Sequence, residues 1–247
     1  QANPKREVDS SPAELAARMM HRRAVEAVIW GMPAVNYELM YQAGVRAADG
    51  DFNQIIYWSR LPDWKIQTLT PNPDAIYFSP FINTKNIGPV VLDIPPADAG
   101  SITGTIMDLW QSPLEDVGPA GLDKGKGGKY LILPPGYKDD VPDGFFPLPS
   151  LSYEGYALLR SIPKTGSDSD VARAVAYGKR IKLYPLSQAT RPPETIFVDV
   201  VDGPGERVYR NEKNLIIMSV DARNFPTVYR YDDKNNVLTQ VDALGRT

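Results

Sequence analysis

Proline and glycine interrupt this chain so often that long regular elements have little room: 23 prolines and 19 glycines fall among 247 residues. Both residue types end helices and strands and open turns, so most of the chain is confined to short elements. Between these breaks, β-branched and aromatic residues recur in short runs. Gln54–Trp58, Ala75–Ile82, Pro89–Ile94, Ser101–Trp110, Lys129–Leu133, Tyr156–Ile162, Glu194–Val201, Asn214–Val220 and Thr227–Asp232 all read as strands. Helices do not alternate with them. That argues against a parallel sheet and predicts a mainly β fold, an antiparallel β-sandwich or jelly roll with N-terminal helices.

The helical signal is concentrated at the start. Ser11 and Glu14 fit a capping box with Pro12 at the first helical position, ahead of a loose apolar stripe over Glu14–Trp30. Gly31 and Pro33 interrupt the stripe, predicting a second short helix over Ala34–Tyr41. A third helix is predicted over Ser167–Arg180, where Ser167 and Asp170 again resemble a capping box. The expected organisation is a helical segment (1–50) packed on the sandwich (51–202), followed by a C-terminal β extension (203–247).

Composition narrows function by exclusion. A net charge of −3 with both signs interspersed leaves no electrostatic footprint for nucleic acid. No apolar run approaches the roughly 18 residues of a membrane span. The absence of cysteine removes disulfides, thiolate metal sites and thiol nucleophiles together. A cysteine-free chain that starts at Gln1 leads us to expect a periplasmic or secreted protein whose signal peptide is removed. The single histidine, His21, sits in a helical, surface-like setting, which is poor ground for a catalytic triad, and histidine-rich metal sites are ruled out. No metal ligand set is indicated, and the sequence leaves the cofactor open. Catalysis would fall to carboxylates, tyrosines, lysines or arginines, alone or with a hard oxygen-bound cation.

Two glycine- or aspartate-rich stretches fail the patterns they invite. Gly121–Lys129 lacks the P-loop spacing and runs into a strand instead of a helix, so it reads as a mobile loop. Asp232–Asn236 lacks the central glycine and terminal glutamate of a calcium loop.

The corner at Thr70–Phe78 is more promising. Asn72 and Asp74 flank the rigid Pro73, and the chain then enters a strand carrying Tyr77. This can aim an amide, a carboxylate and a phenol at a ligand; it equally fits an Asx turn that does nothing but start the strand. Alternation places Asp108 on one face with Ile102 and Ile106, and Arg160 on one face with Tyr156 and Leu158. A charge among apolar neighbours needs a partner. The two either pair with each other within salt-bridge reach or face a cavity.

Trp30–Pro33, Thr70–Tyr77, Met107–Trp110, the glycine-rich loop leading into Lys129–Tyr137, Leu158–Arg160 and Tyr184–Ser187, in that order, resemble the bacterial domain of unknown function 1254 over about residues 15–200. The resemblance implies an exported protein with helices ahead of a β-sandwich or jelly roll, usually followed by a second β-domain. Carried over by position, it implies Asn72, Asp74, Tyr77, Asp108, Trp110 and Arg160 as the recurrent polar residues. It supplies no reaction. Past Arg191–Thr195 the usual continuation is not recognisable, and Val228–Thr247 resembles one unit of a YD (Rhs-type) repeat.

Two functional classes follow. One is a hydrolase acting on a small molecule or glycan, with Asp74 and Asp108 as catalytic acid and base, Tyr77 and Trp110 stacking on substrate, and Asn72 and Arg160 binding it. The other is a non-catalytic binding or assembly module of the cell envelope. The partners expected are a small-molecule or glycan ligand and further copies of the chain.

Overall fold

The computed structural model describes residues 11–45, 48, 50–62, 72–200, 207–210, 213, 215–220, 226–242 and 246. The elements run α1 (Pro12–Gly44), β1 (Gln54–Tyr57), β2 (Ile76–Asn83), β3 (Val90–Ile94), β4 (Ile102–Asp108), β5 (Pro113–Val117), β6 (Gly128–Leu133) and β7 (Phe145–Pro149). There follow β8 (Glu154–Ser161), α2 (Asp168–Gly178), β9 (Lys182–Pro185), β10 (Phe197–Asp199), β11 (Arg207–Arg210), β12 (Ile216–Val220), β13 (Pro226–Tyr231) and β14 (Val237–Val241). The architecture is mainly β, as the sequence predicts.

Two sheets form the sandwich: six strands in the order β10-β1-β2-β8-β4-β5 and four in the order β7-β6-β3-β9. Alternate residues of each fill one core, where Ile55, Phe78, Ile106 and Leu159 of the first sheet share a cluster with Leu92, Tyr130, Ile132 and Leu183 of the second. Pairing within these sheets is antiparallel except at two edges, where β10 joins β1 and β7 joins β6 in parallel. Strands β11 to β14 form a separate four-stranded antiparallel sheet.

β5, β7, β9, β11 and β14 lie outside the predicted strands; the three in the sandwich, β5, β7 and β9, each carry proline: Pro113, Pro147 with Pro149, and Pro185. All three are edge strands, where a missing N–H costs no ladder bond.

Helix α1 starts as predicted, with Ser11 Oγ accepting the Glu14 N–H at 3.3 Å. It does not divide at Gly31 and Pro33, which corrects the two-helix expectation. Beyond the proline, Tyr37 and Tyr41 are buried against Phe81 of β2, with Tyr37 also on Tyr156 of β8. Burying two aromatic side chains outweighs the ~3 kcal/mol that an interior proline costs. At α2 the capping box is absent: Ser167 makes no side-chain cap bond. Asp170 instead accepts the Thr165 N–H and pairs with Arg173 at 2.9 Å. Among the described residues no helix is long and apolar enough to cross a membrane.

Candidate functional site

The outer face of the six-stranded sheet, opposite the sandwich core, divides into two zones. α1 covers the upper zone, where Tyr37 and Tyr41 rest on Phe81, with Tyr156 alongside. Four residues further along β8, roughly 13 Å away, a row of side chains crosses the sheet. Trp58 at the end of β1 bonds through its N–H to the Tyr77 carbonyl at 3.2 Å, Tyr77 is the register partner of Arg160, and Arg160 is the register partner of Thr103. Because directly opposed residues share a face, Trp58, Tyr77, Arg160 and Thr103 stand side by side on four strands.

The polar groups of this row are poorly matched to one another. Arg160 lies with its guanidinium carbon 5.4 Å from the Tyr77 ring centroid, and its Nε donates a long 3.4 Å bond to the Tyr77 hydroxyl. Among the described residues no carboxylate pairs with it. The Trp58 indole packs edge-on to Tyr77, centroids 6.2 Å apart, and its Nε1–H is buried without an acceptor among the described residues. A cation, a hydroxyl and an indole donor on one row can hold a carboxylate, a phosphate or a polarised carbonyl. Trp58 and Thr103 are the members that the sequence reading missed. Trp58 closes a predicted strand and carries one N–H, but only the register reveals its neighbours.

The corner at the mouth of β2 contains an Asx turn. Asn72 Oδ1 accepts the Asp74 N–H at 2.9 Å, while Asp74 itself is exposed. Thr70 and Pro71 lie outside the described residues. Asn72 and Asp74 therefore rim the same end of the sheet as Tyr77 and Arg160.

Asp108 and Trp110 belong to the opposite end. Ile76 and Ile102 both face Ser161 across their ladders, and Asp108 lies six residues beyond Ile102, roughly 20 Å along the strand. Asp108 is buried and accepts the Ser112 N–H at 2.9 Å, closing the β4–β5 turn. Trp110, in that turn, packs on Trp30 of α1 with centroids 4.7 Å apart, and Gln111 donates to the Pro33 carbonyl at 2.9 Å. The turn thus docks the helix.

The expected Asp108–Arg160 pair does not form. Asp108 opposes Gly155 and Arg160 opposes Thr103, five residues apart along one ladder. Five is odd, so the two side chains also project from opposite faces of the sheet. Asp108 shares the sandwich-core face with Ile106; Arg160 shares the outer face with Leu158.

The glycine-rich loop is likewise not the free segment the sequence predicts. Buried Asp123 accepts from the Gly118 N–H at 2.6 Å, the Gly127 N–H at 3.1 Å and the Tyr130 hydroxyl at 2.8 Å. Gly118 has φ +90°, and a Cβ there would meet the Ile102 carbonyl oxygen at 2.0 Å, so only glycine fits. Burial, followed by the Asp123 bond, pushes the Tyr130 hydroxyl far up.

Perturbed titrations occur under α1 as well. Burial and then Glu154 raise the Tyr37 hydroxyl, which has no hydrogen-bond partner among the described residues. Burial and then Glu38 raise Glu154, which accepts from Asn83 Nδ2 at 3.1 Å.

Comparisons with known proteins agree with this architecture. The chain is similar to the crystal structure of the VPA0106 protein from Vibrio parahaemolyticus, with a TM-score of 0.52 and 18% identity. The match covers 76% of this chain and 42% of that one, so the chain spans less than half the length of that relative, and the likeness concerns the fold alone. No curated protein matches. The model of the protein family of unknown function DUF1254 matches residues 52–185, 134 of the 247 residues, from the start of the sandwich to the end of β9. By that match, the chain belongs to the DUF1254 family.

Proposed function

We propose that this protein is a binding module for a small anion-bearing molecule, held on the outer face of the sheet by Arg160, Tyr77 and Trp58. The observation that carries the reading is the row itself: a guanidinium with no carboxylate partner beside a buried indole N–H with no acceptor. Leaving the buried indole N–H unmatched costs about 1–3 kcal/mol, and a carboxylate bound beside Arg160 would give it an acceptor. The Tyr77 and Trp58 rings favour a ligand with a flat or apolar body, and Asn72 and Asp74 would stand at its rim. An exported setting, in keeping with the cysteine-free sequence, belongs to the same proposal.

The geometry favours hydrolysis by Asp74 and Asp108 less. Paired carboxylates in glycoside hydrolysis stand roughly 5–10 Å apart, whereas these lie at opposite ends of the sheet, and Trp110 packs on α1. The test is thermal shift against acetate, benzoate and inorganic phosphate, for the wild type and Arg160→Met. A ligand at 100 times its Kd adds about 2.7 kcal/mol of stability, and Arg160→Met should abolish that shift. Absence of any anion-dependent shift, or a shift unchanged in Arg160→Met, refutes the reading.

A further inference from the structure

Helix α1 is apolar on two opposite sides, and the sheet accounts for only one. Tyr37 and Tyr41 are buried on the sheet, and Trp30, on the same side, packs on Trp110 while staying 70% exposed. At 100° per residue, Val25, Val28, Met32, Val35 and Leu39 fall on the far side. Their spacing of three and four residues alternates without a break, which is the seam that one helix offers another in a coiled coil. Together with the flanking Ile29, these six side chains are 44% to 66% exposed. Further towards the start, Leu15, Met19 and Met20 are exposed too. An exposed apolar stripe of this length ordinarily marks an interaction surface.

We infer that this seam is covered by the same seam of a second copy of the chain, running antiparallel. Three observations choose that occupant. The first is area: six half-exposed aliphatic side chains on each helix would bury roughly 1,200 Å² in total, the lower bound for a specific stable interface.

The second is charge. Arg18 and Arg22 flank the N-terminal part of the seam, and the last turn of α1 contains no basic residue. An antiparallel partner lays its Arg22 beside those C-terminal carbonyls, where a cation is favoured; a parallel partner would set Arg18 and Arg22 beside their own copies. The third is support. The C-terminal half of α1 is fixed on its own sheet, whereas nearly every residue from Pro12 to Trp30 is exposed. In the antiparallel pair residues 23–30 of each helix lie across residues 37–44 of the partner. The register that fits places Met32 against the partner's Val35 and Val28 against the partner's Leu39.

The test exploits the absence of cysteine. Wild type should have a dimer mass by light scattering at micromolar concentration, and Met32→Glu should raise the dimer Kd at least 100-fold with an unchanged circular dichroism spectrum. Under oxidation the double variant Val28→Cys/Leu39→Cys should give a covalent dimer, while Val28→Cys alone should not. Within one helix these positions are about 16 Å apart, too far for a disulfide. The double variant decides the matter if Met32→Glu fails to fold. A monomeric wild type at 100 times the concentration, a cross-linked Val28→Cys single variant, or adsorption to anionic phosphatidylserine vesicles in place of dimerisation overturns the inference.

Discussion

Replacing Asp123 with alanine tests whether the glycine-rich loop is held by one carboxylate. Two of its three donors, the Gly118 N–H and the Tyr130 hydroxyl, converge on one buried oxygen, and the Gly127 N–H takes the other. Each buried donor left without an acceptor costs about 1–3 kcal/mol. Water reaching the half-buried Gly127, and the Asp116 carbonyl 3.3 Å from the Tyr130 hydroxyl, offset part of the loss, so Asp123→Ala should destabilise by about 2–5 kcal/mol. For a domain of this size that is a Tm decrease of roughly 5–15 °C. Asp123→Asn keeps one acceptor but turns an NH₂ group towards a donor, so it should fall between wild type and alanine. Urea denaturation of Asp123→Ala, Tyr130→Phe and the double variant closes a cycle, with a coupling of about 1 kcal/mol or more expected for groups in direct contact. A loss below about 1 kcal/mol in Asp123→Ala, or strict additivity with Tyr130→Phe, would refute the reasoning.

Asp108→Asn retains an acceptor for the Ser112 N–H and should cost about 1 kcal/mol or less in denaturant titration, whereas Asp108→Ala should cost about 1–3 kcal/mol. Gly104→Ala would bring a Cβ to 2.1 Å from the Leu158 carbonyl oxygen and should cost about 3 kcal/mol or more. By contrast, Gly31→Ala meets nothing within 4 Å in α1 and should stabilise by about 0.5–1 kcal/mol, read as Tm. Glu154 has a folded pKa raised above its unfolded value, chiefly by burial, so its charged form opposes folding at neutral pH. That cost fades as pH falls through the raised value towards the ordinary glutamate range. Glu154→Gln should therefore raise Tm at neutral pH, and a Tm-against-pH series should show the difference closing below about pH 4.

The β-sandwich was legible because the residues that make strands and those that break them are different residues. Ala75–Ile82 and Lys129–Leu133 fall within a residue of β2 and β6. The misses have common causes. Pro113 and Pro147 argue against strands in general but not against edge strands, and which strand is an edge is a property of the whole sheet. Pro33 marks a helix break only where nothing beyond it packs, and Tyr37 and Tyr41 pack. The Asp108–Arg160 idea used alternation, which gives the side of each strand separately; whether two sides coincide depends on register, and here a five-residue offset separates them. The row of Trp58, Tyr77, Arg160 and Thr103 is assembled from four strands distant in sequence, so only Tyr77 and Arg160 were in view.

The parallel joining of β10 to β1 has a consequence for how this chain is cut and how it folds. Ile55, Ile56 and Tyr57 pair with Phe197, Val198 and Asp199, which lie beyond residue 185, where the family match ends. A fragment stopping there would leave β1 as a bare apolar edge of unsatisfied N–H and C=O groups, a template for aggregation. Tyr57 would also lose the bond from its hydroxyl to Asp199, 3.1 Å long. The last strand of the six-stranded sheet to leave the ribosome thus seals the first. Closing a loop of that length puts this step late in folding, so nascent chains expose the β1 edge until synthesis has passed Asp199.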